Sequence, residues 1–267
     1  MCREIKRVSR FPLFKLLDYL VSIQQLKMVD LVFTGSEFGL DQLRKLGREK
    51  PVVSTGIGID MEEFQDDPLS DEQKIWDGLF VGRMAPEKGV FDLLRIWRKV
   101  VDEIPDARLA VVGKTVKPYY NEWLSMLKDM QLERNVSHLG ELERKELIRT
   151  YYSSRVFVFP SKIEGAGIVI AEAMAAGLPV VAWNLPAYKT LYDKAPAFYL
   201  FDDNETMSAK VVELLKDINA ARMVGLLNRS YAINKFSWRN VSRKVTEKME
   251  LLNAIGNKLA DQGEKKS

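Results

Sequence analysis

From Asp77 to Phe201 the chain alternates short uninterrupted apolar runs with longer stretches in which apolar residues recur every three or four positions. Uninterrupted runs bounded by glycine or proline predict strands buried on both faces, and the recurrent stretches predict amphipathic helices. "DGLFVGR" (77–83) reads as a strand, 87–101 as a helix, "ARLAVVG" as a strand and 119–130 as a helix. "NVSHLG", "RVFVFP", "LPVVAW" and "AFYLF" predict further strands, with helices at 143–152, 168–176 and near Tyr188, and helices from there to the end. Strands separated by helices of this length predict right-handed βαβ units: an α/β, Rossmann-like parallel sheet with helices on both faces. Ahead of this block, "DLVFTGS" (30–36) and "KPVVSTGIG" (50–58) predict strands around a helix that Ser36 would cap. A polar, acidic, proline-containing stretch at 59–76 reads as a linker, which divides the chain into a unit at 1–58 and a domain at 77–236. A closing helix is expected at 237–260 and a disordered tail at 261–267.

The first residues begin basic and turn apolar, but Lys15 and Asp18 interrupt the apolar part and no small-residue cleavage site follows. An amphipathic helix with Leu13, Leu16, Leu17 and Leu20 on one face accounts for them better. Its basic start fits a solvated face first, and peripheral contact with an anionic membrane second. No uncharged run is long enough to span a bilayer. Composition changes little: 46% of the 267 residues are hydrophobic, 29% are charged, and the net charge is +3. That balance gives no argument for nucleic acid as a partner. The single cysteine, Cys2, excludes an internal disulfide framework and fits a reducing, cytoplasmic setting, with the inner membrane face as the alternative its basic start leaves open.

In an open parallel sheet, ligands bind beyond the carboxyl ends of the strands. That rule selects the loops "GRMAPEKG", "GKTVKP" and "PSKIEGAG". In the first, Gly82 and Arg83 follow a strand and Lys88 stands at the expected helix start; a guanidinium, an ammonium and helix-terminal N–H groups suit a diphosphate. Taken alone, Arg83 and Lys88 are slightly better explained as solvated loop cations. In the third loop, Gly165, Ala166 and Gly167 leave the backbone bare ahead of Ile168, so a ligand can approach the N–H groups there. Glu164 lies at the strand end. Glu172 lies about a turn into the helix among Ile170, Ala171, Ala173 and Met174, where a carboxylate needs partners. Sugar and ribose hydroxyls are suitable ones; an incidental glutamate on an exposed face is the blander account. G-x-G-x-x-G fails here, because Ile170 stands where the third glycine belongs. His138, the one histidine, is expected to be a packed strand residue, and no His/Cys cluster or Asp-x-Asp suggests a metal.

"LFVGRMAPEKGV", "ARLAVVGK", "NVSHLGEL", "VFVFPSKIEGAGIVIAEAMAAGLPVVAWNLPAY" and "FSW", in this order, resemble the donor-nucleotide domain of the GT-B glycosyltransferases, specifically the retaining family 4. The likeness spans roughly 30–238, and Glu164 with Glu172 matches that family's E-x7-E motif. It implies a metal-independent hexosyltransferase that takes a nucleotide-diphosphate sugar, GDP- or UDP-linked, as donor substrate. A separate cofactor is not implied. By the resemblance Arg83 and Lys88 hold the diphosphate, Glu164 contacts the transferred sugar and Glu172 the ribose. The turn from Gly165 to Ile168 faces sugar and phosphates, and Leu139 and Leu142 border the base. The acceptor implied is a glycan or a lipid-linked sugar.

Residues 1–58 match only the end of the family's N-terminal acceptor domain. A remnant of this size is expected of a fragment, of a chain whose acceptor wall a separate polypeptide completes, or of a donor-binding module without transfer activity. The closing helix would brace only the remnant, so an apolar surface for a partner or a second copy is expected. An epimerase of the same fold would need its own catalytic carboxylates in the missing half.

Overall fold

The computed structural model describes residues 24, 28–46, 50–65 and 74–264, with side chains through residue 254. Cys2 and the helix expected at Leu13 to Leu20 lie outside them. Two sheets form: a parallel pair and a six-stranded sheet. In the pair, β1 (Val32–Thr34) and β2 (Val52–Ser54) run in register from Val32 against Val52. Helix α1 (Glu37–Lys45) joins them, and Ser36 caps it by accepting from the Gly39 amide at 3.1 Å.

The described residues 59–65 of the stretch expected to be a linker are more ordered than their polarity suggests; 66–73 lie outside the described residues. Ile59 is buried and bridges to Ser237, and Met61–Phe64 forms a 3-10 turn capped by Asp60. Phe64 reaches the core, where its ring tilts against those of Tyr151 and Tyr152. Three apolar residues within the acidic run, Ile59, Met61 and Phe64, explain the difference, because their burial outweighs the local turn preference.

The large sheet is all parallel: β3 (Trp76–Val81), β4 (Leu109–Val112), β5 (Val136–Gly140), β6 (Ser154–Phe159), β7 (Val180–Trp183) and β8 (Phe198–Phe201). Their order is β5-β4-β3-β6-β7-β8. β4 is buried throughout, and the apolar parts of β3, β6 and β7 nearly so, as their unbroken runs require; Asp77 and Arg155 pair with each other near the starts of β3 and β6. The connecting helices are α2 (Val90–Glu103), α3 (Tyr119–Asp129), α4 (Arg144–Tyr152), α5 (Ile168–Ala175) and α6 (Pro186–Leu191). The helix expected from residue 87 begins instead at Val90: Pro86–Lys88 is a 3-10 turn, and Gly89 breaks it from α2 at φ +73°. His138 is a packed strand residue as read, with its ring nitrogens on the Tyr120 hydroxyl at 3.1 Å and the Gly113 carbonyl at 3.0 Å.

Three helices complete the chain: α7 (Asn204–Lys216), α8 (Ile218–Phe236) and α9 (Trp238–Glu264). The pairs α2 with α7 and α5 with α8 flank the sheet. Helix α9 runs on to Glu264, past the point at which a disordered tail is expected. The run from 251 to 262 holds mainly good helix formers, so propagation continues once the helix is nucleated. Met223 and Leu227 of α8 and Trp238, Met249 and Leu251 of α9 are exposed. Among the described residues no helix is long and apolar enough to cross a membrane.

Sequence patterning gives no hint of Asn228 on α8, which is fully buried. Its side-chain oxygen accepts from the Ala197 amide, and its amide donates to the carbonyls of Leu178 and Ala197, each at 2.9 Å. The amino-terminal approaches to β7 and β8 are thereby tied to one helix. Asn228→Ala strands the Ala197 amide and the Leu178 carbonyl, while the Ala197 carbonyl keeps the Val180 amide, so a loss of about 2–3 kcal/mol is expected in urea denaturation. A loss below about 1 kcal/mol would show the three bonds to be dispensable.

Candidate functional site

Strands β3 and β6 are neighbours in the sheet, although three helices and two strands separate them in sequence. The order reverses direction between them, and a crevice opens beyond their carboxyl ends. The loop at 82–89 follows β3 and the loop at 160–167 follows β6, so both enter this crevice. Their backbones lock together. The Lys162 amide donates to the Glu87 carbonyl at 2.9 Å, and a Cβ placed on Gly89 would lie 1.8 Å from the Pro160 carbonyl oxygen. Only glycine allows that approach, and only glycine takes its positive φ without strain.

This docking brings Lys88 to Glu164. The ammonium donates to Oε1 of Glu164 at 2.5 Å, and the Ser161 hydroxyl donates to the same oxygen at 2.8 Å. The two side chains are only 20% and 11% exposed, so the pair is shielded from screening. Arg83 lies apart, 59% exposed, with its guanidinium on Glu87 at 3.0 Å. Gly82 stands next to Lys88: a Cβ there would come 3.9 Å from the lysine Cβ.

Beyond Glu164 the chain turns through Gly165 and Ala166 to Gly167, which starts α5 at φ +68°. A helix's first N–H groups have no intrahelical partner, so this end presents donors and a partial positive charge. Ile168, its first residue, is 51% exposed at the mouth. Carbonyls of the turn are held from behind. Tyr192 donates to the Ala166 and Gly167 carbonyls at 3.0 and 2.9 Å, and Ser36 of the small unit donates to the Gly165 carbonyl at 2.9 Å. Tyr188 packs beneath Gly167 with its hydroxyl buried and unpaired. Burial pushes that phenol far above its usual range, and the Glu164 charge adds to the effect.

Glu172 differs most from the expectation. It is buried, but its partners belong to the chain: Arg144 donates to Oε1 at 2.6 Å and the buried Tyr151 hydroxyl to Oε2 at 3.0 Å. Burial pushes the Tyr151 phenol well up, reinforced by the adjacent carboxylate, so it remains a donor. Arg144 is also held by Glu63, through Nε at 2.8 Å and Nη2 at 2.5 Å. None of Arg144, Tyr151, Glu63 and Ser161 is evident as a site residue from sequence patterning. One signal was present: Arg144 and Tyr151 lie seven residues apart, hence on one face of a helix. Leu139 and Leu142 are half-buried against the core, on either side of Gly140, whose φ is +74°. A shallow surface pocket lies elsewhere, between Arg155, Leu178 and Arg222 near the amino end of β7, and contains none of these groups.

The family model for "Glycosyl transferases group 1" matches residues 77–217, which include both loops and both glutamates. The chain belongs to the group 1 glycosyl transferases. Among relatives of this family, the sulfoquinovosyl transferase SQD2 of Arabidopsis thaliana is 31% identical over 202 residues, covering 70% of this chain and 38% of that protein. A phosphatidyl-myo-inositol mannosyltransferase of Mycolicibacterium smegmatis is 28% identical over 228 residues, covering 83% and 57%. The chain thus spans about half the length of the curated relatives it matches. In fold it is similar to Anabaena Alr3699/HepE solved with UDP and glucose, with TM-score 0.77 at 18% identity over 88% of this chain and 67% of that one. Sucrose-phosphate synthase from Thermosynechococcus elongatus gives TM-score 0.75 at 21% identity over 89% and 62%.

Proposed function

We propose that the chain is the donor-binding part of a retaining glycosyltransferase that moves a sugar from a nucleotide-diphosphate sugar to an acceptor hydroxyl. The observation that carries this reading is the Lys88–Glu164 pair at the head of α5, where a cation, a carboxylate and free helix N–H groups converge at the strand switch point. Departure of a diphosphate needs its negative charge neutralised, and Lys88 is placed for that. Arg83 reaches the same phosphates by leaving Glu87, an exposed contact of the kind worth little. Glu164 accepts from hydroxyls of the sugar and favours positive charge developing at its anomeric carbon. Glu172 accepts from the ribose, and Leu139 and Leu142 flank the base. Positioning and fixed electrostatics account for catalysis of this kind, and no metal is assigned a role.

Relatives named for GDP-mannose and neighbours solved with UDP support a GDP- or UDP-sugar donor. The lipid-linked substrates in relatives' names support a lipid or glycan acceptor, held by a separate chain or a second copy at the apolar surfaces of α8 and α9. A donor-binding module without transfer is the second reading. Calorimetry with UDP, GDP, ADP and their sugars is expected to give micromolar binding of one diphosphate and tighter binding of its sugar. Sugar release on adding the acceptor-domain chain separates enzyme from module. Absence of binding by any of the nucleotides sinks both.

A further inference from the structure

Glu172 sits on a helix whose neighbouring side chains are small and apolar, so its carboxylate is oriented only by what bonds it. The terminal torsion of a glutamate is broad unless fixed. Here Tyr151 holds one oxygen from the core and Arg144 the other from the crevice side, where its side chain is 39% exposed. An ionised carboxylate offers about four acceptor positions. These two bonds use two of them and set the direction of the rest. A planar guanidinium is itself fixed only when more than one edge is bound. Glu63 supplies that second contact by taking Nε and Nη2, which leaves Nη1 for Glu172, and the guanidinium lies 5.8 Å from the Phe64 ring centre. Glu63 and Phe64 belong to the 3-10 turn at Met61–Phe64, within the segment leading from the small sheet towards the large one.

We propose that Arg144 is a positioning residue for the donor ribose, and that Glu63 sets it, so that the connecting segment controls the orientation of Glu172 toward the ribose hydroxyls. This rests on the donor-site reading above and deepens it. The electrostatics agree with the geometry: Arg144's hydrogen bonds hold the Glu63 carboxyl below its usual range, and bonding to Glu63 raises the guanidinium further, so both stay charged. The arrangement also makes ribose recognition sensitive to how the small unit sits, since a displacement of the 3-10 turn withdraws the group that fixes Arg144.

The test uses the full chain and whichever of UDP and GDP binds it more tightly, together with the 2′-deoxy and 3′-deoxy forms of that nucleotide. Wild type is expected to prefer the ribo form over at least one deoxy form by about tenfold, the size of one charge-assisted hydrogen bond. Glu63→Gln, at a partly exposed site that spares the core, should cut the preference to about threefold, and Arg144→Met should abolish it, the ribo form losing more affinity than the deoxy forms in each. Arg144→Lys should restore part of it. Equal weakening of ribo and deoxy forms would reveal a merely structural role and overturn the proposal. So would an unchanged ratio in Glu63→Gln and Arg144→Met. A wild type that binds the diphosphate with no ribose preference overturns the inference and leaves the diphosphate site standing. One that binds no nucleotide removes the donor-site reading itself.

Discussion

Gly89→Ala is expected to destabilise the protein by on the order of 3 kcal/mol and to abolish nucleotide binding. Two costs add. Alanine at φ +73° is strained by roughly 1–2 kcal/mol. Its Cβ would also lie 1.8 Å from the Pro160 carbonyl oxygen, a backbone atom at the end of β6 that no rotamer change can move. Relief requires the two loops to part. That breaks the Lys162 to Glu87 hydrogen bond and withdraws Lys88 from Glu164. Gly165→Ala is the control: it changes the same crevice, but no atom lies within 4 Å of its added Cβ and its φ is not in the left-handed region. Thermal melts should show a fall of several degrees for Gly89→Ala and little for Gly165→Ala. If Gly89→Ala melted with wild type and bound UDP and GDP alike, the docking of the two loops would not be what holds the site.

Lys88→Ala and Glu164→Gln should separate phosphate from sugar. In the absence of ligand, Lys88 neutralises Glu164, so removing the lysine has two effects. It deletes the cation proposed to face the diphosphate, and it leaves a carboxylate only 11% exposed with the Ser161 hydroxyl as its remaining donor. Truncating one partner of a shielded charge pair costs roughly 2–5 kcal/mol, and a loss at the lower end of that range would lower nucleoside diphosphate affinity about thirtyfold. Glu164→Gln acts the other way. It frees the ammonium and removes a negative charge near the phosphates, so UDP or GDP should bind as well as before or better. The gain from the attached sugar should disappear, because the charged acceptor proposed for its hydroxyls is lost. Calorimetry with UDP against UDP-glucose, and GDP against GDP-mannose, reads both. Weaker diphosphate binding by Glu164→Gln would contradict the division of roles, and unaltered binding by Lys88→Ala would remove the lysine from the site.

Sequence patterning reached most of the strands because their cause is local: a strand segment buried on both faces must be apolar at every position, and "VFVF" and "PVVAW" are. It erred where a tertiary contact outweighed a local preference. Gly89 reads as an ordinary helical residue in "EKGVFDLL", yet contact with Pro160 demands its positive φ and delays α2 to Val90. The acidic stretch after Gly58 reads as a linker, yet Phe64 has a place in the core.

The sequence by itself determined the alternation of strand and helix, the loops that carry charged and glycine residues, and the need for Glu172 to have partners. It also carried the resemblance to the glycosyltransferase family. It left open which loops meet and which groups become those partners. Periodicity reports only what neighbours within a few residues require, whereas strand order is fixed by packing the whole sheet. Only the tertiary structure set β3 beside β6 and so joined Lys88 to Glu164 across 76 positions of sequence. The same holds for Glu172. A buried charge requires a counter-charge or donors, but any nearby one suffices, and the fold supplied Arg144, tied in turn to Glu63.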